Sequence, residues 1–423
     1  MPGGIALVSP ANARKLRRVI IKEYKQFGGK HWETAALRNV LEFKGFTSPH
    51  TNQPLSEELL LGIGGGIQPG YSFLPAALKS TGGIFIAGRT RSHITGPEYS
   101  ERMLSRLGAS ANGHASAGSQ GAFRKVLTTL EMGDPSIVYC NKAAMPYLRM
   151  PAARGEQVFM HTAVIYGYDE IRDVVLVGDQ SEKPLTVSVD EIIEARARSI
   201  SYKNRSFTVS VPGKFTEASL EKAIREGIGD YLDSTTTPRT RNYSLHGIEE
   251  WAKVIGSASH PNSWQSTYRK GLLYRPLVDV FESIEILGGD GGLFRPMYAD
   301  FLDEAADILK EPEICEVADL YRALGTEWTA LADACLPDEI PEFKATKALH
   351  RERQRTYLEL GDLADDVMKA TADRLAALDT HFADGEFPLN PDETEEFLLG
   401  LSNRIAGLVL AEWRAIKALG SIW

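Results

Sequence analysis

An α+β domain followed by an all-helical domain is the architecture the sequence predicts, on two observations. Apolar runs with strand character cluster before about residue 215, and beyond that point only helical periodicity is found. A chain of 423 residues exceeds one ordinary core and accommodates both parts. The expected boundaries are 1–214 for the first domain and 215–423 for the second, with Pro212-Gly213 ending the strand-bearing part.

The elements follow in order. Ser9-Pro10 reads as an N-cap with a first-turn proline, opening a basic helix that runs to about Phe27 and is stopped by Gly28-Gly29. A second helix begins at His31-Trp32, carries Ala35, Ala36, Leu37, Val40 and Leu41 on one stripe, and ends near Gly45. Ser56 caps a short helix that enters the glycine-rich segment from Gly62 to Gly70, read as a loop. Ile84–Ala87 reads as a strand, with helices at 97–107 and 118–131. The clearest strands are 136–140, 161–166 and 174–177, and the polar connection Gly167-Tyr168-Asp169-Glu170 makes the last two an antiparallel hairpin. Ser188 and Glu191 form a capping-box pattern for a helix at 189–198, and Phe207, Val209 and Val211 alternate as a final strand. Helices are then expected at 217–231, 246–256, 266–287, 296–310, 315–333, 342–382 and 393–420, the last opened by Asn390-Pro391-Asp392-Glu393.

Composition excludes several classes of function. Hydrophobic residues make up 43% and charged residues 24%, the balance of a globular protein rather than a disordered one. Asp and Glu (56) exceed Lys and Arg (47), and the net charge of −9 argues against nucleic acid as a partner. The three cysteines, Cys140, Cys315 and Cys335, form neither a disulfide framework nor a C-x-x-C pair, so a reducing cytoplasm is expected. A membrane partner is not expected either. The one long uncharged stretch, Leu59 to Leu78, is broken by five glycines and two prolines, and the N-terminal apolar run precedes its basic cluster, the reverse of a secretory signal. No cofactor is expected, because the Gly62–Gly70 loop lacks the Gly-Lys-Ser/Thr ending of a phosphate loop. No metal site is expected, because His31, His93 and His114 share no ligand spacing.

Chemistry can sit where the hairpin brings His161, at the start of one strand, beside Asp179, at the end of its partner. A carboxylate there holds the imidazole in one tautomer and raises its basicity, as a general base requires. A surface histidine and a turn aspartate is the bland alternative. Cys140 and Asn141 end the neighbouring strand, and the helix start at His31-Trp32 offers backbone N–H groups for an oxyanion hole.

The motif Gly28-Gly29-Lys30-His31-Trp32-Glu33-Thr34-Ala35-Ala36-Leu37-Arg38-Asn39 resembles the opening motif of the butirosin-biosynthesis protein H family. So do Leu55-Ser56-Glu57-Glu58-Leu59-Leu60-Leu61-Gly62-Ile63-Gly64-Gly65-Gly66 with Tyr71, Met145-Pro146-Tyr147, His161 through Asp169, and Gly178-Asp179-Gln180. The stretch from Gly288 to Ala306 is similar to the helical domain that accompanies the family. This resemblance implies a papain-like fold, similar to the bacteriocin-processing cysteine peptidases. It also implies an acyltransferase that carries an aminoacyl group from a carrier-protein thioester to an amine of an antibiotic intermediate. The family's nucleophilic cysteine follows the motif histidine, where this sequence has Trp32, and its usual aspartate at the preceding strand end is here Asn141.

Three readings follow. In the first, an amine attacks an acyl or aminoacyl thioester directly, with His161 as base, Asp179 as its orienter and Trp32 as pocket wall. The second is a base-catalysed cyclase or lyase in natural-product assembly. The third is a non-catalytic binding protein of the same fold. Cys140 is a weaker candidate for a relocated thiol. His31, Trp32, Tyr71, Cys140, Asn141 and Arg295 are the expected substrate-binding residues, although Arg295 with Tyr298 could instead hold the two domains together. The expected partner is a small-molecule substrate, with an acyl carrier protein and a second copy of the chain (a homodimer) as candidates. The basic first helix, Arg14 to Lys25, is the surface suited to an acidic carrier.

Overall fold

The computed structural model describes residues 18–74, 83–89, 96–150, 160–199 and 202–423. His93 and the residues before Arg18 lie outside that set. Among the described residues, a seven-stranded antiparallel sheet forms the frame of the first half. Its strands are β1 (Arg18–Ile20), β4 (Ser110–His114), β5 (Ser136–Asn141), β6 (Met160–Asp169), β7 (Val174–Gly178), β8 (Leu185–Ser188) and β9 (Ser206–Ser210). A separate hairpin pairs β2 (Ile67–Phe73) with β3 (Ile84–Arg89). The helices of this half are α1 (Trp32–Phe43), α2 (Glu57–Ile63), α3 (Gly96–Arg106), α4 (Ser119–Glu131) and α5 (Val189–Ala197).

The main sheet runs β4-β9-β5-β6-β7-β8. β6 is its long central strand, paired with β5 over Met160–Ile165 and with β7 from Val164 onward. Beyond the start of β5, β1 takes up the exposed edge of β6, matching Arg18 to Asp169 and Ile20 to Gly167. That pairing corrects the expected basic helix. Arg18–Ile20 is a strand because the free edge of β6 offers it backbone partners, with Arg18 ion-paired to Asp169 at 3.2 Å. The proposed carrier-docking helix face is therefore absent over its described part.

After β9 the described chain is all helix: α6 (Glu217–Thr236), α7 (Leu245–Gly256), α8 (Trp264–Thr267), α9 (Tyr274–Phe281), α10 (Arg295–Leu309), α11 (Glu313–Cys335), α12 (Pro341–Leu360), α13 (Asp365–Ala383) and α14 (Pro391–Ile422). The anticipated capping box of Ser188 with Glu191 forms, and the helix start expected at Asn390 proves to be a second one, with Glu393. The single helices expected at 266–287 and 342–382 do not. The first divides into α8, a 3-10 turn at Lys270–Leu273, α9 and a π-turn at Glu282–Ile286. The second breaks at Gly361, which takes φ +56° and sits against Lys183, where a Cβ would approach that side chain to 2.7 Å. No helix among the described residues is long and apolar enough to cross a membrane.

The glycine-rich segment also departs from expectation. Rather than a loop, it ends α2 and forms β2, and its glycines are the seam against which other elements pack. Phe301 of α10 lies where a Gly62 side chain would be, a Cβ on Gly64 would meet the Tyr99 hydroxyl at 2.6 Å, and one on Gly66 would meet the Tyr298 ring at 2.5 Å. Gly227 of α6 closes from the other side onto the Gly62 carbonyl. Small side chains here let helices of the second half approach the backbone of the first, which buries Tyr298 and Phe301 completely. Gly62→Ala is accordingly expected to cost about 1–3 kcal/mol by forcing the Phe301 ring aside. Gly407→Ala on the open face of α14, with nothing within 4 Å of its Cβ, is expected to gain up to about 1 kcal/mol. Urea unfolding midpoints of the two variants check the contrast.

Candidate active site

Antiparallel register builds the site. His161 faces Cys140 across β5–β6, and Val164 faces Gly178 across β6–β7, so Asp179 lies diagonally from His161 on the same face of the sheet. The contact expected from the sequence is present: His161 Nε2 lies 2.7 Å from Asp179 Oδ2. The same carboxylate accepts the Tyr147 hydroxyl at 2.6 Å and the Gln180 amide at 2.8 Å. Burial pushes the Asp179 carboxyl upward. The imidazole beside it and these hydrogen bonds outweigh that effect and hold it below the ordinary carboxylate range. An ionised carboxylate only accepts, so Nε2 carries the ring proton and Nδ1 is left as the basic nitrogen. Nδ1 is buried and has no hydrogen-bond partner. The whole residue has 0% exposure.

Trp32, the first residue of α1, is half-buried and presents its indole 6.0 Å from the His161 ring, centroid to centroid. Its carbonyl accepts the Thr162 hydroxyl at 2.8 Å, which ties the helix start to β6. His31 is the N-cap but makes no side-chain cap bond; it stacks edge-on to Phe294 at 5.1 Å and lies 5.0 Å from Trp32. Desolvation, with the positive charges of Arg89 and Lys142 and the neighbouring His161, keeps the His31 imidazole well below its ordinary pKa, so it stays neutral.

Glu57 is the residue that sequence reasoning passed over. Its buried carboxylate accepts the Lys30 amide (2.8 Å), the His31 amide (2.6 Å) and the Thr34 hydroxyl (2.7 Å). Burial raises its pKa and those three donors oppose the rise. Two of the N–H groups at the helix mouth are thus already committed, which leaves those of the first helical turn itself for an oxyanion. Gly29, at φ +147°, makes room for this clamp: a Cβ there would come within 3.0 Å of Glu57 Oε2. The signal was Glu57 in the second quoted motif, 26 residues from its His31 partner. Glu33, in the first turn, is ion-paired with Arg89 of β3 at 2.7 Å. Burial pushes its carboxyl up to about 7 against the opposing guanidinium.

Of the expected site residues, the structure gathers His161, Asp179, Trp32, His31 and Cys140. The Cys140 thiol donates to the His161 carbonyl at 3.7 Å, is wholly buried, and is pushed by that burial far above a reactive pKa, so it is not a relocated nucleophile. Asn141 caps the 3-10 turn Lys142–Ala144 by accepting the Ala143 amide. Tyr71 and Arg295 have other partners, in packing contacts rather than with His161 or Asp179. Tyr71 stacks on Trp251 at 5.6 Å and accepts from Trp264, held by the hairpin's packing on α7. Arg295 is fully buried between Glu412 of α14 (2.6 Å) and the Trp328 ring of α11, joining helices within the second half. No group of three metal-ligating side chains is found among the described residues.

The neutral His31 sets a pH dependence. An unfolded histidine gains its proton near pH 6.5, whereas the folded ring resists protonation until well below that. The unfolded state therefore binds more protons in that window, and stability falls as pH drops below about 6.5. His31→Gln is expected to flatten this slope between about pH 6.5 and 5, read from denaturation midpoints across that range; an unchanged slope contradicts the assignment.

Two family models match parts of the chain. Residues 31–180 match the family described as Butirosin biosynthesis protein H, N-terminal, and residues 191–369 match a domain of unknown function (DUF4872). No curated protein matched the chain. The first match spans α1, Glu57, Tyr147, His161 and Asp179 together, and on it residues 31–180 belong to the butirosin-biosynthesis protein H N-terminal family.

Proposed function

We propose that this protein is an enzyme of antibiotic-type specialised metabolism that passes an acyl or aminoacyl group from a thioester to an amine by direct attack. The observation that carries the reading is the bare Nδ1 of His161. A buried polar atom without a partner costs about 1–3 kcal/mol, and a proton delivered by an amine substrate would meet that need on a ring already oriented by Asp179. In the reaction the amine nitrogen adds to the thioester carbonyl and Nδ1 takes its proton. The C–S bond then breaks, and the imidazolium returns the proton to the departing thiolate, leaving amide and thiol. First-turn N–H groups of α1 stabilise the oxyanion. An indole cannot form an acyl-enzyme, and a thioester is activated enough not to need one.

Because His161 has no exposure, this chemistry requires the half-buried indole of Trp32 to swing away as substrate enters. The same closure favours a second reading, in which the pair is kept for its place in the fold and the protein binds its metabolite without turning it over.

A labelled aminoacyl thioester incubated with protein and an amine acceptor separates the readings. Direct attack predicts transfer with no covalent adduct on the protein, and a loss of about 10² or more in rate for His161→Ala with the circular dichroism spectrum unchanged. Transfer that survives the substitution rejects His161 as the base, and absence of turnover with thioesters that bind supports the second reading.

A further inference from the structure

The 32-residue helix α14 is apolar on both sides. Its inner face packs on α7 and α11, burying Leu398, Leu401, Ile405, Leu408 and Ile416, and the Ser402 hydroxyl donates to the Ala252 carbonyl at 2.7 Å. A surface helix ordinarily covers its opposite face with charge. α11 does so with Glu316, Asp319, Arg322 and Glu327, all exposed. α14 does not. From Phe397 to Trp413 its only charged residues are Arg404 and Glu412. Glu412 is buried against Arg295, and Arg404 stands to one side, near enough to Cys335 of α11 to act on its thiol. What remains at the middle of the outer face is Leu399, Asn403, Ala406 and Leu410, with Leu399 49% and Leu410 62% exposed. A helix that lacks a charged face is characteristic of burial on both sides.

Charge returns only toward the ends of this face, with opposite sign at each. Asp392 and Glu396 lie near the start and Arg414 and Lys417 near the finish, all four exposed and none ion-paired among the described residues. These eight positions follow one another at steps of three or four residues, so they form one stripe along the helix. Read along the chain, the stripe runs acidic, apolar, small and polar, apolar, basic. Laid antiparallel on a second copy about a two-fold axis near Arg404-Ile405, it meets its own complement. Asp392 and Glu396 then run beside Lys417 and Arg414 of the second copy, Leu399 lies opposite Leu410, and Asn403 lies opposite Ala406. A parallel arrangement sets acid against acid and base against base.

We propose that the protein forms a two-fold symmetric dimer through the outer face of α14, with the two helices antiparallel. Such a contact uses the same patch on both copies and closes at two. The paired stretch from Asp392 to Lys417 is about 38 Å long and about 10 Å wide, small for a protein interface, so association in the micromolar range is expected. The inference goes beyond the transfer reaction and involves none of the residues assigned to it.

The test is sedimentation velocity of the full chain from about 1 to 200 µM, a range that brackets micromolar association. A shift from one chain mass to two is expected across it. Leu410→Glu is expected to weaken association about tenfold or more, because each copy then buries a carboxylate against Leu399. Arg414→Glu and Glu396→Arg are each expected to weaken it about fivefold or more by setting like charges side by side, and the double variant to restore it. All three positions are exposed, so folding is retained, which circular dichroism checks. A chain that stays monomeric throughout, a dimer indifferent to Leu410→Glu, or a double variant no tighter than the single ones overturns the proposal. Transfer activity is scored separately, so failure of either reading leaves the other standing.

Discussion

One buried carboxylate organises the site. Asp179 receives an imidazole, a phenol and a backbone amide, and each donor comes from a different piece of chain: β6, the turn at Pro146–Leu148, and its own neighbour Gln180. An ionised group so enclosed is tolerable only because its hydrogen-bonding capacity is filled. Filling it fixes the end of β7, the turn that carries Tyr147 and the orientation of His161 in a single step. Gln180 extends the network by donating from its side chain to the Lys30 carbonyl at 2.8 Å, immediately before α1. The start of α1 is thereby tied to the same sheet edge as the dyad.

A second carboxylate, Glu57, does for the helix mouth what Asp179 does for the histidine. Between them the two acids hold Lys30, His31, Thr34 and His161 in one constellation, with Trp32 as the half-buried residue between solvent and the imidazole. The helical half completes the enclosure through Phe294, which stands on His31. Both Leu293 and Phe294 adopt positive φ (49° and 68°), conformations that nonglycine residues hold only when packing demands it. Here the demand is clear: a Cβ on Gly88 would meet the Phe294 ring at 2.5 Å, so the ring is wedged between β3 and the helix mouth.

Local rules made part of this legible and long-range ones hid the rest. The His161–Asp179 pair could be read because a hairpin fixes diagonal neighbours from sequence spacing alone. The capping boxes at Ser188 and Asn390 were equally local. β2, β4 and β8 were missed for contrasting reasons. Ile67–Phe73 contains Pro69 and Gly70, Ser110–His114 has no β-branched residue, and Leu185–Ser188 is only four residues long. Each is a strand because a partner strand claims it, a tertiary effect that overrides propensity. The glycines of α2 and β2 were visible, but their purpose depends on Phe301 and Tyr298, more than 230 residues away, and Arg295 likewise depends on Glu412, 117 residues away. Helix periodicity carried over the breaks near Thr267 and Gly361, since an apolar stripe continues through a kink even when the backbone does not.

The central claim is that the His161 ring carries its proton on Nε2, toward Asp179, and keeps Nδ1 as a basic nitrogen. Long-range proton–nitrogen NMR correlations on histidine-labelled protein near neutral pH read that tautomer directly. The account predicts the Nε2–H form for His161, changing to a mixture in Asp179→Asn. Finding the Nδ1–H form in the unaltered protein would contradict it.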